Sequence, residues 1–179
     1  MSYRVPEPLA AEHGLEHFEC RSEEQTQWLH RHARQSLASG TARVFVVTPT
    51  NSNVVVASYA WTMGQISPED APPRLLKGGG RYPQPVALLA RLGVDLHHEG
   101  RGLGAGLLSD VVQRSAAISD SIGCRGLLVH AESNDARSFC IHLIPEFEQS
   151  PTDELHLVLL IKDIKVTIRR GLTQASVDI

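Results

Sequence analysis

The chain has few cysteines, no long apolar run and no large excess of either charge. Its three cysteines, Cys20, Cys124 and Cys140, are odd in number and widely spaced. They build neither a disulfide framework nor a C-x-x-C metal site. No apolar run approaches the ~20 residues of a membrane helix. The opening segment, Met1 to Pro8, is polar and holds no signal-peptide apolar region, so a cytoplasmic protein is expected. Seventeen Lys and Arg against 20 Asp and Glu leave a net charge of −3, which argues against a uniformly basic nucleic-acid binder. The His97-His98 pair and the i,i+4 pair His13 and His17 bring no third ligand of the right type, so no metal is expected. No internal repeat or low-complexity linker divides the chain.

What is present is ordinary for a globular domain: 42% apolar and 21% charged residues over 179 positions. That length suits one domain and is short for two. The charge is uneven, however. Six glutamates lie in the first 24 residues, five cations (Arg74, Lys77, Arg81, Arg91, Arg101) lie between Arg74 and Arg101, and Lys162, Lys165, Arg169 and Arg170 cluster near the C-terminus.

Ser22 followed by Gln25 resembles a capping box, and the spacing of Trp28, Leu29, Ala33 and Leu37 predicts a helix from about Glu23 to Ala38. Val44 to Val47 and Val54 to Trp61 read as strands of an antiparallel hairpin around turn-forming residues 49–53. Ser67 to Pro85, rich in Pro and Gly, reads as a mobile surface loop. Val86 to Leu96 reads as a strand buried on both faces. A helix from Leu103, a strand at Leu127 to Val129, a short helix from Asn134 to Leu143 and a strand from Leu155 to Ile161 follow. Past Ile164 no partner is evident and an extension is expected. The order is that of a mixed α/β (α+β) domain.

Between the buried strand and the next helix lie Gly100, Gly102, Gly104 and Gly106. Glycines there let the backbone approach an anion closely, and the first N–H groups of a helix, together with its dipole, favour negative charge. A pyrophosphate is the expected guest. No Gly-Lys-Ser/Thr follows, so the loop is not a P-loop. It comes late, after a hairpin, which is not the place of a dinucleotide fingerprint.

Residues 99 to 104 resemble the acetyl-CoA signature Gln/Arg-x-x-Gly-x-Gly/Ala of the GNAT superfamily except at the first position, which is Glu99. The resemblance implies a GNAT fold, a central mixed twisted sheet flanked by helices, over 1–179, with a core at about 15–163 and a C-terminal extension at 164–179. It implies that the loop from Glu99 through Gly100, Arg101, Gly102, Leu103, Gly104 and Ala105 binds the CoA pyrophosphate. It further implies that Leu92, Gly93 and Val94 lie along pantetheine, with Ser133 and Phe139 completing the cofactor site. Glu99 is expected to turn toward solvent. A narrower resemblance runs from Phe18-Glu19-Cys20 through Trp28-Leu29 and residues 42–47, then Leu89 to Asp95, then Leu128 to Ala131, then Ala136 and Phe139. It is to TacT- and AtaT-type toxins, which pair with a ribbon-helix-helix antitoxin and acetylate the free amine of aminoacyl-tRNA, blocking translation.

GNAT chemistry is attack of an amine on a thioester, so the protein must position both partners, polarise the carbonyl and protonate the leaving thiolate. The resemblance puts the polarising backbone near Val94. It puts the proton donor, usually a tyrosine, at Cys140, with Ser133 at the motif's Asn position and Ala136 matching. A thiol reaches less far than a phenol, so acetyl-CoA binding with weak transfer is expected. Arg91, Arg74, Lys77 and Arg81 are expected to meet acceptor-stem phosphates. A homodimer is also expected. Two other readings remain open: a GNAT acting on a small amine or peptide, and a catalytically silent module that binds acetyl-CoA or an antitoxin.

Overall fold

The computed structural model describes residues 1–177, with side chains through Arg169; Arg170, the last of the C-terminal cations, lies outside the described side chains. In chain order the elements are β1 (Glu7–Pro8), α1 (Glu23–Arg31), α2 (Ala33–Ser39), β2 (Arg43–Val47), β3 (Ala57–Ile66), α3 (Pro73–Leu76), β4 (Gln84–Val94), α4 (Leu103–Ile118), β5 (Gly126–His130), α5 (Asn134–Leu143), β6 (Glu148–Gln149), β7 (His156–Leu160) and α6 (Ile161–Val177). The strands form one seven-stranded mixed sheet in the order β1-β2-β3-β4-β5-β7-β6, flanked by helices. Among the described residues no helix is long and apolar enough to cross a membrane.

The chain divides into two compact units, Met1–Thr62 with Leu89–Val111, and Met63–Leu88 with Val112–Ile179. In the first, Leu9, Leu15, Phe18, Leu29, Ala33, Val44, Val46 and Val55 form the core, with Trp28 and Leu37 packed against it. The antiparallel hairpin is present, pairing Val44 with Ala60 and Phe45 with Tyr59. Its second strand begins three residues later than the apolar run implies. Val55 instead donates its N–H to Gly14 O at 2.9 Å, a bond to the N-terminal segment that the alternation of residues does not encode. The helix expected over 23–38 is two helices. The backbone leaves helical geometry at His32 (φ −121°, ψ −20°). Its N–H still reaches Trp28 O, and its carbonyl still accepts from Ser36 N, each at 2.8 Å. The apolar period therefore survives a bend it cannot report.

In the second unit, Ile66, Ala71, Leu75, Val86, Leu128, Val158 and Leu160 form a core. One expectation is corrected here. Residues 67–85 are not a loose loop: α3 lies within them, Leu75 is 1% exposed, and the buried Gln84 side chain donates to Gly79 O and Tyr82 O. A Pro- and Gly-rich composition signals absence of long regular structure, not absence of burial. Ile161 and Ile164 are buried at the start of α6, whereas Val166 and Ile168 further along it are exposed. The short strands β1 and β6, two residues each, fall below what alternation can reveal.

Candidate functional site

The first unit carries the glycine loop. β4 ends at Val94, and Asp95 then caps a 3₁₀ turn at Leu96–His98, its Oδ1 accepting from His97 N at 2.9 Å. Its other oxygen accepts from Glu19 N at 3.0 Å, so one buried carboxylate ties two distant segments together. Gly100 (φ 69°) and Gly102 (φ 79°) are both left-handed, a conformation that glycine adopts freely. Backbone amides in turns with left-handed residues can form a concave anion-binding nest, and this turn opens a 16-residue helix. An added Cβ at Gly100, Gly102 or Gly106 would meet nothing within 4 Å, so the space over the loop is open. The donor set and the room both fit a pyrophosphate.

Glu99 does not turn to solvent. Both its oxygens are held by Arg21, through Nε and Nη2 at 2.8 Å each, in a bidentate pair. Arg21 went unnoticed in the sequence because no spacing rule links positions 78 residues apart. The capping box at Ser22 places only the start of α1, one residue later.

Along β4, Val86, Ala87 and Leu89 are buried, whereas Arg91, Leu92, Gly93 and Val94 are only half-buried. The part of the strand assigned to the cofactor is therefore the part not sealed in the core. Leu92 N donates to Gln25 Oε1 at 3.2 Å, so one of those amides is already engaged by α1. Gly93 sits at a close approach: a Cβ there would lie 3.3 Å from both Cys20 Sγ and Phe18 Cζ, so a larger residue would press on these two side chains. Arg91 pairs with Glu24 at 2.7 Å and lies over the Trp28 ring, 5.6 Å from its centroid.

The second unit carries the remaining predicted residues. Ser133 caps α5, accepting from Ala136 N at 3.2 Å, and Phe139 is on the surface. Cys140 is 6% exposed, and burial pushes its thiol up to about 11. An ordinary alkyl thiol titrates near ~8.5, so giving a proton to such a thiolate is uphill by about 3 kcal/mol. Cys140 is on the helix face that packs inward, as a small core residue, which weighs against a proton-donor role. Arg74 is also reassigned. Its Nη1 and Nη2 hold Asp163 at 2.9 Å each, and Nη1 reaches Glu148 at 2.6 Å. Asp163 and then Glu148 raise its pKa. It braces α3, β6 and α6 instead of offering its charge to a phosphate. The Lys77 and Arg81 side chains are exposed.

At the end of β5, His130 stacks on His156 of β7, with ring centroids 4.0 Å apart. Desolvation first, and then His156, lower the His130 pKa, against a smaller opposing pull from Asp153. Neither histidine stood out in the sequence, because their facing register is a product of strand pairing.

No family model matches the chain. A tRNA-acetylating toxin of Mycobacterium tuberculosis (strain ATCC 25618 / H37Rv) is 38% identical over 166 residues, covering 93% of this chain and 97% of its own length. Among solved structures, AtaT complexed with acetyl-methionyl-tRNAfMet superposes with a TM-score of 0.84 at 22% identity, over 93% of this chain and 99% of that one. A tyrosine-to-phenylalanine mutant of AtaT, bound to the C-terminus of the antitoxin AtaR and acetyl-CoA, has a TM-score of 0.77 at 21% identity, over 93% and 98%.

Proposed function

The chain belongs to the family of tRNA-acetylating toxins, and from that premise we propose that it is an N-acetyltransferase moving acetyl from acetyl-CoA to the free amine of an aminoacyl-tRNA. The observation that carries this is the nest of left-handed glycines, Gly100 and Gly102, opening α4 under free space. Acetyl-CoA bound there supplies the activated acetyl group. The chain's own part is to grip the pyrophosphate with the amides of residues 100–105, align pantetheine along Leu92 to Val94, and present the carbonyl near the Val94 backbone. Ser133 and Phe139 are assigned to the cofactor as well. Arg91, Lys77 and Arg81 are assigned to acceptor-stem phosphates. Arg91 can exchange its exposed partner Glu24 for a phosphate at little cost, since such surface pairs contribute about 0–1 kcal/mol.

The same reading assigns the chain a cytoplasmic place, one GNAT domain over 1–179, a homodimer, and neutralisation by a ribbon-helix-helix antitoxin. Its consequence in the cell is blocked translation. The test is acetyl transfer from labelled acetyl-CoA to a panel of charged tRNAs, run beside a panel of free amines and peptides. Label appearing on amines alone would replace the tRNA assignment with a small-molecule one.

One observation favours a second reading. Cys140, buried and with its thiol pushed up to about 11, is a poor source for the leaving-group proton. A chain that binds acetyl-CoA and turns it over slowly, or serves only as a binding module, would show full cofactor affinity and little transfer in the same assay.

A further inference from the structure

The acetyl-CoA reading of the glycine loop carries an electrostatic difficulty in this chain. Glu99 stands immediately before Gly100, with consecutive Cα atoms ~3.8 Å apart. Its carboxylate is therefore within the ~8 Å over which charge is still felt at physiological salt, and it would repel the phosphates that the nest attracts. Arg21 meets both its oxygens at 2.8 Å. The side chains differ in exposure, 77% for Arg21 and 32% for Glu99, so the guanidinium is the outer member of the pair.

An exposed ion pair holds its partners weakly by itself, but here the backbone places Arg21. Glu19 donates its N–H to Asp95 Oδ2 at 3.0 Å, and its carbonyl accepts from Leu96 N at 2.9 Å. Three residues after Glu19, Ser22 caps α1. Arg21 is thus confined between an anchor on the segment that leads into the loop and the first turn of a helix.

We propose that Arg21 is a cofactor-positioning residue: it neutralises Glu99 and brings a cation from the N-terminal segment to the pyrophosphate end of the glycine loop. The inference rests on the acetyl-CoA reading and adds to it a residue that the loop does not contain. The expected division of labour is that Arg21 governs affinity for the phosphorylated part of the cofactor and leaves the acetyl-transfer step alone.

The test is calorimetric binding of acetyl-CoA and of S-acetylpantetheine, which lacks the phosphates, to the full-length protein and to Arg21→Ala, Glu99→Gln and the double variant. Arg21→Ala should weaken acetyl-CoA about two- to fivefold, the size expected of an exposed charge near a helix terminus. It should leave S-acetylpantetheine unchanged and raise the KM for acetyl-CoA with kcat unaltered. Adding Glu99→Gln should restore acetyl-CoA affinity to within about twofold of the parent. Equal affinity of Arg21→Ala and the parent overturns the proposal. So does equal weakening toward both ligands, which would indicate structural damage, and so does failure of Glu99→Gln to restore binding. A parent protein that does not bind acetyl-CoA at all removes the underlying reading, an outcome distinct from the other three.

Discussion

At the scale of the residue, Cys140 decides how the acetyl transfer is to be understood. Its thiol is buried and pushed up to about 11, so it holds its proton too tightly to serve as the general acid that the proposed transfer calls for. Cys140→Ala is then expected to leave the transfer rate within about twofold, because no proton donor is lost. Cys140→Tyr is expected to raise it by about 10²-fold, the usual scale of a positioned general acid. The ring is too large for the space of a thiol, and the overpacking should cost about 1–3 kcal/mol of stability unless it swings outward. Single-turnover transfer to charged tRNA, paired with a melting curve for each variant, checks both effects. Equal rates for Cys and Tyr would mean that the proton leaves by another route.

His130 offers a second residue-scale prediction. Its folded pKa lies below the ordinary 6.5 because burial and then His156 disfavour the charged ring. The unfolded chain therefore binds the proton more readily. Stability is complete above the unfolded value near 6.5 and falls as pH drops through that value toward the folded pKa. Denaturant melts between pH 7.5 and 5 should show this fall, and His130→Asn should flatten it. An unchanged slope in that variant would assign the effect to other groups.

At the scale of the element, the glycine loop and α3 make opposite demands. Gly100 and Gly102 adopt left-handed angles that an L side chain takes at a cost of about 1–2 kcal/mol. Gly102→Ala should therefore lower stability slightly and acetyl-CoA affinity strongly, by about tenfold or more, while the fold survives because the Cβ meets open space. Titration calorimetry and circular dichroism on the same sample separate the two effects. Leu75 of α3 is 1% exposed in its core cluster. Leu75→Ala should cost about 2–5 kcal/mol, measurable as a shifted denaturation midpoint. A cost near zero would return residues 67–85 to the status of a free loop. The helix α4 was legible because its apolar spacing is a local feature, whereas the Ser133 cap of α5 emerged only from the structure. The bend at His32 was not legible, since the apolar period runs through it unbroken.

At the scale of the whole molecule, a net charge of −3 must be reconciled with a polyanionic substrate. Local cations resolve this only if they are available. Arg74 is held by Glu148 and Asp163, while Arg91, Lys77 and Arg81 remain as candidates. Binding of charged tRNA should weaken with salt, and Arg91→Glu should weaken it further and make the salt dependence shallower. Arg74→Ala, by contrast, should reduce stability more than tRNA affinity. Filter binding from low to high salt tests the set, and a salt-independent affinity would remove phosphate contact from the account.

The residues themselves determined the glycine loop, the strand before it, the capped start of α1, and α4. Each rests on neighbours within a few positions: a φ that only glycine takes freely, a capping hydroxyl, an apolar period. The tertiary structure alone decided that Glu99 is clasped by Arg21, that Arg74 is spent on two carboxylates and that Cys140 faces inward. Those outcomes depend on which segments the folded path brings together, across separations of 78 and 89 residues in the first two cases. Spacing in the chain carries no information about such meetings. The glycine loop could be read from its own stretch of sequence, but the Arg21–Glu99 pair beside it could not.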